Sequence, residues 1–185
     1  MKLIIIRGSG ASGKTALARR LAKDMRMQVF YKDAYKEKQF DLLDQSPTLK
    51  ELLYYEKDSW VHTLNAVKES IARNTDLIIE GNLMAPQKRA LSRLFNEKVT
   101  AIELYCHVKG LTGFKRYVKR NESGERHKGH RDRIYYPVVL VESLSSYIGY
   151  KPYKPFKLSP HFKHINMNDF TKIDYEEIEK FIKTR

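Results

Sequence analysis

Eight residues near the amino terminus, GSGASGKT from Gly8 to Thr15, combine the groups that a polyphosphate needs. Phosphate oxygens require many donors at short range, and bulky side chains cannot supply them. Gly8, Gly10 and Gly13, with Ser9, Ala11 and Ser12 between them, let the backbone curl so that successive N–H groups converge on one anion. Lys14 would then reach the β and γ phosphates, and Thr15 would offer its hydroxyl to Mg²⁺. Two acids stand out next: Asp33 in VFYKDAYKE and Glu80 in DLIIEGN. A carboxylate beside an incoming hydroxyl can take its proton, which a transfer reaction needs and a nucleotide switch does not. The third group is cationic. Arg116 and Arg120 are four residues apart, hence on one helix face, and NESGERHKGHRD follows with Arg126 and Arg131. Cations closing over a phosphoryl group in transit offset the charge that spreads over its oxygens.

These residues need a scaffold, and the apolar pattern supplies one. Short apolar runs at Leu3–Ile6, Gln28–Tyr31, Leu77–Glu80, Thr100–Tyr105 and His164–Met167 read as strands. Between them lie segments of helical period, the alternation of an α/β domain with a parallel sheet. The phosphate-binding segment then falls between the first strand and a helix with Leu17, Leu21 and Met25 on one face. The helix amino terminus adds N–H groups and a favourable dipole for an anion. Ser46 and Pro47 suit a helix start, followed by Leu49, Leu52 and Leu53. Trp60, Leu64, Val67 and Ile71 form another stripe, and Asp174 with Glu177 suggests a capped last helix carrying Ile178, Phe181 and Ile182. In such a sheet ligands gather at the carboxyl ends of the strands, which is where Asp33 and Glu80 fall.

Composition sets the outer bounds. The chain has 185 residues, 42% hydrophobic and 31% charged, the profile of one globular domain over 1–185. A single cysteine, Cys106, excludes an internal disulfide and fits a reducing, cytoplasmic setting. Arg7 interrupts the leading apolar run too early for a signal peptide, and no stretch is long enough to span a bilayer. The net charge of +13 attracts anions of every kind, nucleic acid included, and Lys109–Arg133 concentrates nine Lys and Arg against three acids. From Lys151 to Lys163, three prolines among lysines and aromatics argue for a connecting loop; the competing reading is a basic-aromatic strip for single-stranded nucleic acid. His127 and His130 could form half of a metal site, but no second pair of ligands at suitable spacing accompanies them.

GSGASGKT, KDAYK after the second strand, IIEGNL at the third and RYVKRNESGERHKGH after the fourth together resemble the small P-loop kinases. That group includes zeta-toxin-like and chloramphenicol phosphotransferase-like enzymes and the kinase domain of polynucleotide 5′-kinase. The resemblance runs over roughly residues 1 to 147. It implies a three-layer P-loop NTPase fold with a five-stranded parallel sheet, order 2-3-1-4-5, and a small lid at about 121–133. It implies ATP and Mg²⁺, with Asp33 as general base and Glu80 near metal and acceptor, either contacting Mg²⁺ through water or facing the acceptor. Lys36 stands where many relatives carry Arg, which trades a bidentate fork for a point charge in acceptor binding. In the family, a pair such as Arg116 and Arg120 lies at the lid's mouth, one on adenine and one on phosphate; Arg126, then Arg131, are the candidates to reach the γ-phosphate. The base-contacting loop should lie near NMNDFTKID.

Plainer roles stand beside these. Asp33 could cap a helix, Glu80 could pair with a lysine, and the arginines could belong to a solvated basic helix. The chain has no Asn-Lys-x-Asp run for guanine and is short for an oligomeric motor. The expectation is a kinase, monomer or homodimer, acting on a hydroxyl of a small molecule, nucleoside or nucleotide. A polynucleotide 5′ end is the alternative acceptor, and a non-catalytic nucleotide-binding regulator is the alternative of another class.

Overall fold

The computed structural model describes residues 1–43, 47–83, 85–124, 127, 130 and 158–185. Five strands form one parallel sheet in the order β2-β3-β1-β4-β5. They are β1 (Lys2–Gly8), β2 (Gln28–Tyr31), β3 (Leu77–Glu80), β4 (Thr100–His107) and β5 (His161–Asn166). The expected order is the observed one. The leading run LIII fills the centre of this sheet and is buried on both faces. Ile4 and Ile6 pack with Leu17, Leu21, Ile178 and Ile182 on one side. Leu3 and Ile5 pack with Trp60, Val67 and Leu91 on the other. That two-sided burial is why the strand reads as a continuous apolar stretch rather than an alternating one.

Helix α1 (Lys14–Met25) follows the phosphate loop, and Arg26 ends it in the left-handed conformation. β2 then runs without a loop into α2 (Lys32–Asp41), so Asp33 is the second residue of a helix. It does not cap that helix: Tyr31 is the capping position, and its side chain makes no cap hydrogen bond. Helix α3 (Leu49–Arg73) is one 25-residue element joining both apolar stripes of this region. Its start is set by Thr48, whose hydroxyl accepts from Glu51 N while the Glu51 carboxylate accepts from Thr48 N, a capping box. Ser46 lies outside the described residues, and Pro47 precedes the cap rather than opening the first turn. Helices α4 (Ala85–Ser92) and α5 (Gly110–Glu122) flank β4. A short 3₁₀ turn (Phe170–Lys172) precedes α6 (Tyr175–Lys183), which Asp174 caps by accepting from Glu177 N.

Several boundaries differ from expectation, β1 among them, which runs Lys2–Gly8 rather than Leu3–Ile6. β4 continues to His107, and β5 begins at His161 and ends at Asn166, so the last three residues of Lys151–Lys163 enter the sheet; 151–157 lie outside the described residues. Asn121 and Glu122, expected to open the lid, close α5 instead. Arg7 is buried, pairs with Glu103 of β4, and lies 4.8 Å over the Tyr105 ring. Leu158 N donates to the other Glu103 oxygen at 2.6 Å. This pair ties the strand that delivers the phosphate loop to its neighbour. No described helix is long and apolar enough to cross a membrane.

Candidate active site

β1 delivers the phosphate loop to the carboxyl edge of the sheet, at the point where the strand order reverses. The loop's shape rests on two glycines. A Cβ on Gly8 would lie 2.3 Å from the Cys106 carbonyl oxygen, so only glycine fits against β4. Gly13 has a φ of +84°, and a Cβ there would meet the Phe170 ring at 2.5 Å. Between them Ala11 is held at a φ of +54°, a costly conformation for a residue with a side chain. Gly13 caps α1 with no side-chain hydrogen bond to its first turn, which suits an anion at that helix terminus. The Ser12 hydroxyl is buried beneath the loop with no hydrogen-bond partner among the described residues.

Lys14 curls back so that Nζ donates to Ser9 O at 2.8 Å, closing the loop as a ring. Glu80 ends β3 between Ile6 of β1 and Tyr31 of β2. Its carboxylate accepts from Thr15 Oγ1 at 3.2 Å and lies 4.0 Å from Lys14 Nζ. The Glu80 side chain is 5% exposed. Burial raises its pKa, Asp33 nearby adds to the rise, and Lys14 opposes it without cancelling it. A desolvated carboxylate beside a threonine hydroxyl is a donor set that fits a hard divalent cation.

Asp33 faces this loop from the first turn of α2, with 43% of its side chain exposed. Burial pushes its pKa up, but Lys32, Lys36, His130 and Lys14 together outweigh burial and hold it well below the ordinary carboxylate range. Lys32 Nζ lies 3.2 Å and Lys36 Nζ 3.7 Å from Asp33 Oδ1. Both lysines also pair with Glu56 of α3, Lys36 donating to Oε2 at 2.9 Å. Neither lysine was expected to be a core residue, yet both are buried, and Lys32 Nζ sits 5.6 Å over the Trp60 ring.

Two cavities meet here. One, of about 180 Å³, is lined by Tyr31, Asp33, Ala34, Glu37, Asn82, Tyr117 and Asn121 along its outer part. The other, of about 570 Å³, is lined by Ser12, Gly13, Arg116, Lys119 and Phe170. Gly10 and Glu80 border the first, and Ala11, Lys14, Thr15, Arg19 and Arg120 border both. The cleft is thus one trough with two ends, joined at the lysine and threonine of the loop.

At the second end, Arg116 donates to Met167 O at 2.7 Å and to Asn168 O at 2.8 Å, and stacks 4.1 Å over the Phe170 ring. This gives NMNDFTKID its place: the loop after β5 packs Phe170 against Gly13 and Arg116, forming a flat aromatic-cationic surface beside the phosphate loop. Arg120, one turn on, reaches the junction of the two cavities. The structure therefore brings together the phosphate loop, Asp33, Glu80, Arg116 and Arg120. Lys36 is near but does not line the trough, and Arg126 and Arg131 lie outside the described residues. His127 pairs with Asp41 at 3.0 Å and His130 with Glu37 at 2.7 Å. The hydrogen bond from His130 is the main reason the Glu37 carboxyl lies below its usual range. No cluster of three or more metal-ligating His, Cys, Asp or Glu residues occurs among the described residues.

Sequence reading missed Lys32, Glu56, Arg19, Phe170 and the Asn82–Tyr117–Asn121 wall. Only Phe170 had a usable signal, an exposed-type aromatic in the polar run where a base-contacting loop was expected.

The family model for AAA_33, an AAA domain, matches residues 3–134. The chain belongs to this family. Among curated protein sequences none matches it. Its fold is that of P-loop kinases. A candidate kinase from Chloroflexus aurantiacus is 24% identical with a TM-score of 0.81, covering 99% of this chain and 97% of that one. A sugar kinase from Janibacter sp. is 14% identical with a TM-score of 0.58, covering 100% and 91%. Shikimate kinase from Bacteroides thetaiotaomicron is 15% identical with a TM-score of 0.50, covering 100% and 95%.

Proposed function

We propose that this AAA_33 protein is an ATP-dependent phosphotransferase that moves the γ-phosphate to a hydroxyl of a small molecule, nucleoside or nucleotide. The observation that carries this reading is the double-ended trough: the phosphate loop and Arg120 lie at its middle, and the Asp33 carboxylate stands across from them. A nucleotide-binding regulator has no use for that acid.

In the proposed reaction the triphosphate lies along the loop amides and the α1 terminus, with the base against Phe170 and Arg116. Asp33 is ionised at neutral pH and accepts a hydrogen bond from the acceptor hydroxyl. Both flanking lysines approach Oδ1, so Oδ2 is the oxygen proposed to receive the proton. The acceptor oxygen forms a bond to the γ-phosphorus as the bond to the β,γ-bridging oxygen breaks, and ADP leaves with that electron pair. Lys14 and Arg120 offset the charge that spreads over the γ oxygens. Thr15 and Glu80 would hold Mg²⁺, Glu80 directly or through water; the ion's contribution is to neutralise charge on the β and γ oxygens. Burial pushes the Cys106 thiol up to about 12, an inert group suited to a reducing cytoplasm.

The test is Asp33→Asn. Transfer from labelled ATP should fall by roughly 10²–10⁴-fold while ATP affinity stays within twofold. Undiminished transfer in Asp33→Asn would sink the reading. The charge of +13 favours a second acceptor class, a polynucleotide 5′ end. A steep loss of oligonucleotide binding with rising salt, together with phosphorylation of its 5′ hydroxyl, would select it.

A further inference from the structure

Helix α2 carries two lysines to the edge of the acceptor end of the trough, and neither presents its charge there. Lys32 and Lys36 have side chains only 4% and 9% exposed. Both ammonium groups are shared between Asp33 and Glu56, which lies 20 residues beyond Lys36 on α3. Buried charges persist only when paired, and here two cations are matched by two carboxylates, Lys32 and Lys36 each donating a hydrogen bond to Glu56. The cavity wall that remains is lined by Tyr31, Asp33, Glu37, Asn82 and Asn121, with the Glu37 carboxylate hydrogen-bonded to His130. Among the described residues, the cations that line it, Lys14, Arg19 and Arg120, lie in the stretch shared with the nucleotide cavity, where a triphosphate would engage them.

We infer that Glu56 determines acceptor specificity: by holding Lys32 and Lys36 it withholds an anion-binding pair, so the acceptor is an uncharged or amine-bearing polyol. An acceptor with a phosphate or carboxylate beside its reacting hydroxyl would meet Asp33 and Glu37 while Lys32 and Lys36 are engaged by Glu56. This rests on the phosphotransferase reading and refines which hydroxyl compounds it serves. Glu56 touches neither donor nor acceptor; it acts through the lysines it holds.

Inorganic phosphate is the direct probe, titrated calorimetrically into the protein saturated with Mg²⁺ and a non-hydrolysable ATP analogue so that the loop's own sites are filled. The wild type should show no saturable phosphate site in the millimolar range. Glu56→Gln should gain a saturable site in that range, and adding Lys36→Met to it should remove the gain. Saturable phosphate binding by the wild type, or no gain in a folded Glu56→Gln protein, overturns the inference. If Glu56→Gln does not fold, the wild-type titration decides, together with turnover: for any polyol phosphorylated, its phosphate- or carboxylate-bearing counterpart should show at least tenfold lower kcat/KM. The reverse order overturns the proposal. Failure of the analogue itself to bind would instead bring down the phosphotransferase reading and this inference with it, so the two failures are told apart in one experiment.

Discussion

The phosphate loop and the α2–α3 wall face each other across one trough, and they are built from different materials. The loop is a backbone structure: Gly8 lies against the Cys106 carbonyl, Gly13 against Phe170, and Ala11 holds a left-handed turn. On the opposite side Asp33 lines the trough, backed by a lattice of charged side chains, Lys32, Lys36 and Glu56, spread over two helices. A backbone site tolerates almost no substitution but recognises any polyphosphate. A side-chain lattice can be rewired by single charge changes, so it is the half of the site where the proposed acceptor preference would be altered.

The most damaging change should fall on the backbone wall. Gly8→Ala places a methyl group against a carbonyl that cannot retreat without breaking the β1–β4 ladder. Nucleotide affinity should drop at least a hundredfold by calorimetry, with a stability loss of about 2 kcal/mol in denaturant unfolding. Wild-type affinity in Gly8→Ala would erase the contrast between the walls. A smaller effect is expected at the base surface. Phe170→Ala should weaken ATP binding roughly tenfold, the worth of one stacked base. Inorganic tripolyphosphate, which has no base, should bind unchanged; equal losses for both ligands would place Phe170 in loop support only.

Glu80 belongs to neither material, being a buried acid under the loop, and it separates function from stability. Its folded pKa is raised, so folding favours its protonated form and the ionised group costs stability once the pH exceeds its unfolded value near 4.5. Glu80→Gln should therefore have a higher Tm than the wild type at pH 7, with the two converging below about pH 4.5, while Mg²⁺-dependent turnover is lost. A lower Tm for Glu80→Gln at pH 7 would contradict the burial argument. The smallest effect should come from Thr48→Ala, which removes the capping box of the helix that carries Glu56. About 1 kcal/mol of stability should be lost with nucleotide affinity untouched. Any change in nucleotide affinity there would mean the two walls are mechanically coupled.

The same division governs what could be read before the fold was known. The loop is local: its glycines, lysine and threonine lie within eight residues, flanked by an apolar strand and an amphipathic helix, and all of it is legible in order. The sheet order followed from resemblance, and the buried strands from their unbroken apolar runs. α2 was not foreseen because KDAYKEKQFD has almost no apolar periodicity; its lysines are buried by Glu56 and Trp60, partners twenty or more positions away. Lys36 was placed at the acceptor by resemblance alone, since its counter-charge Glu56 lies on another helix. The start of α3 was readable in principle, since Glu51 stands three residues after Thr48, but Ser46–Pro47 offered a competing signal. The start of β5 was missed because His161, Phe162 and Lys163 are all half-exposed and two of them are polar, which blurs the pattern that marks a buried strand.

β2 passes into α2 with no intervening loop, and only β3 separates β2 from β1. Interstrand distance is imposed by hydrogen bonding, so the span between loop and acid is a ruler of two lattice steps, about 10 Å. Side-chain changes can redecorate the cleft, but the backbone ladder keeps the distance from loop to acid fixed.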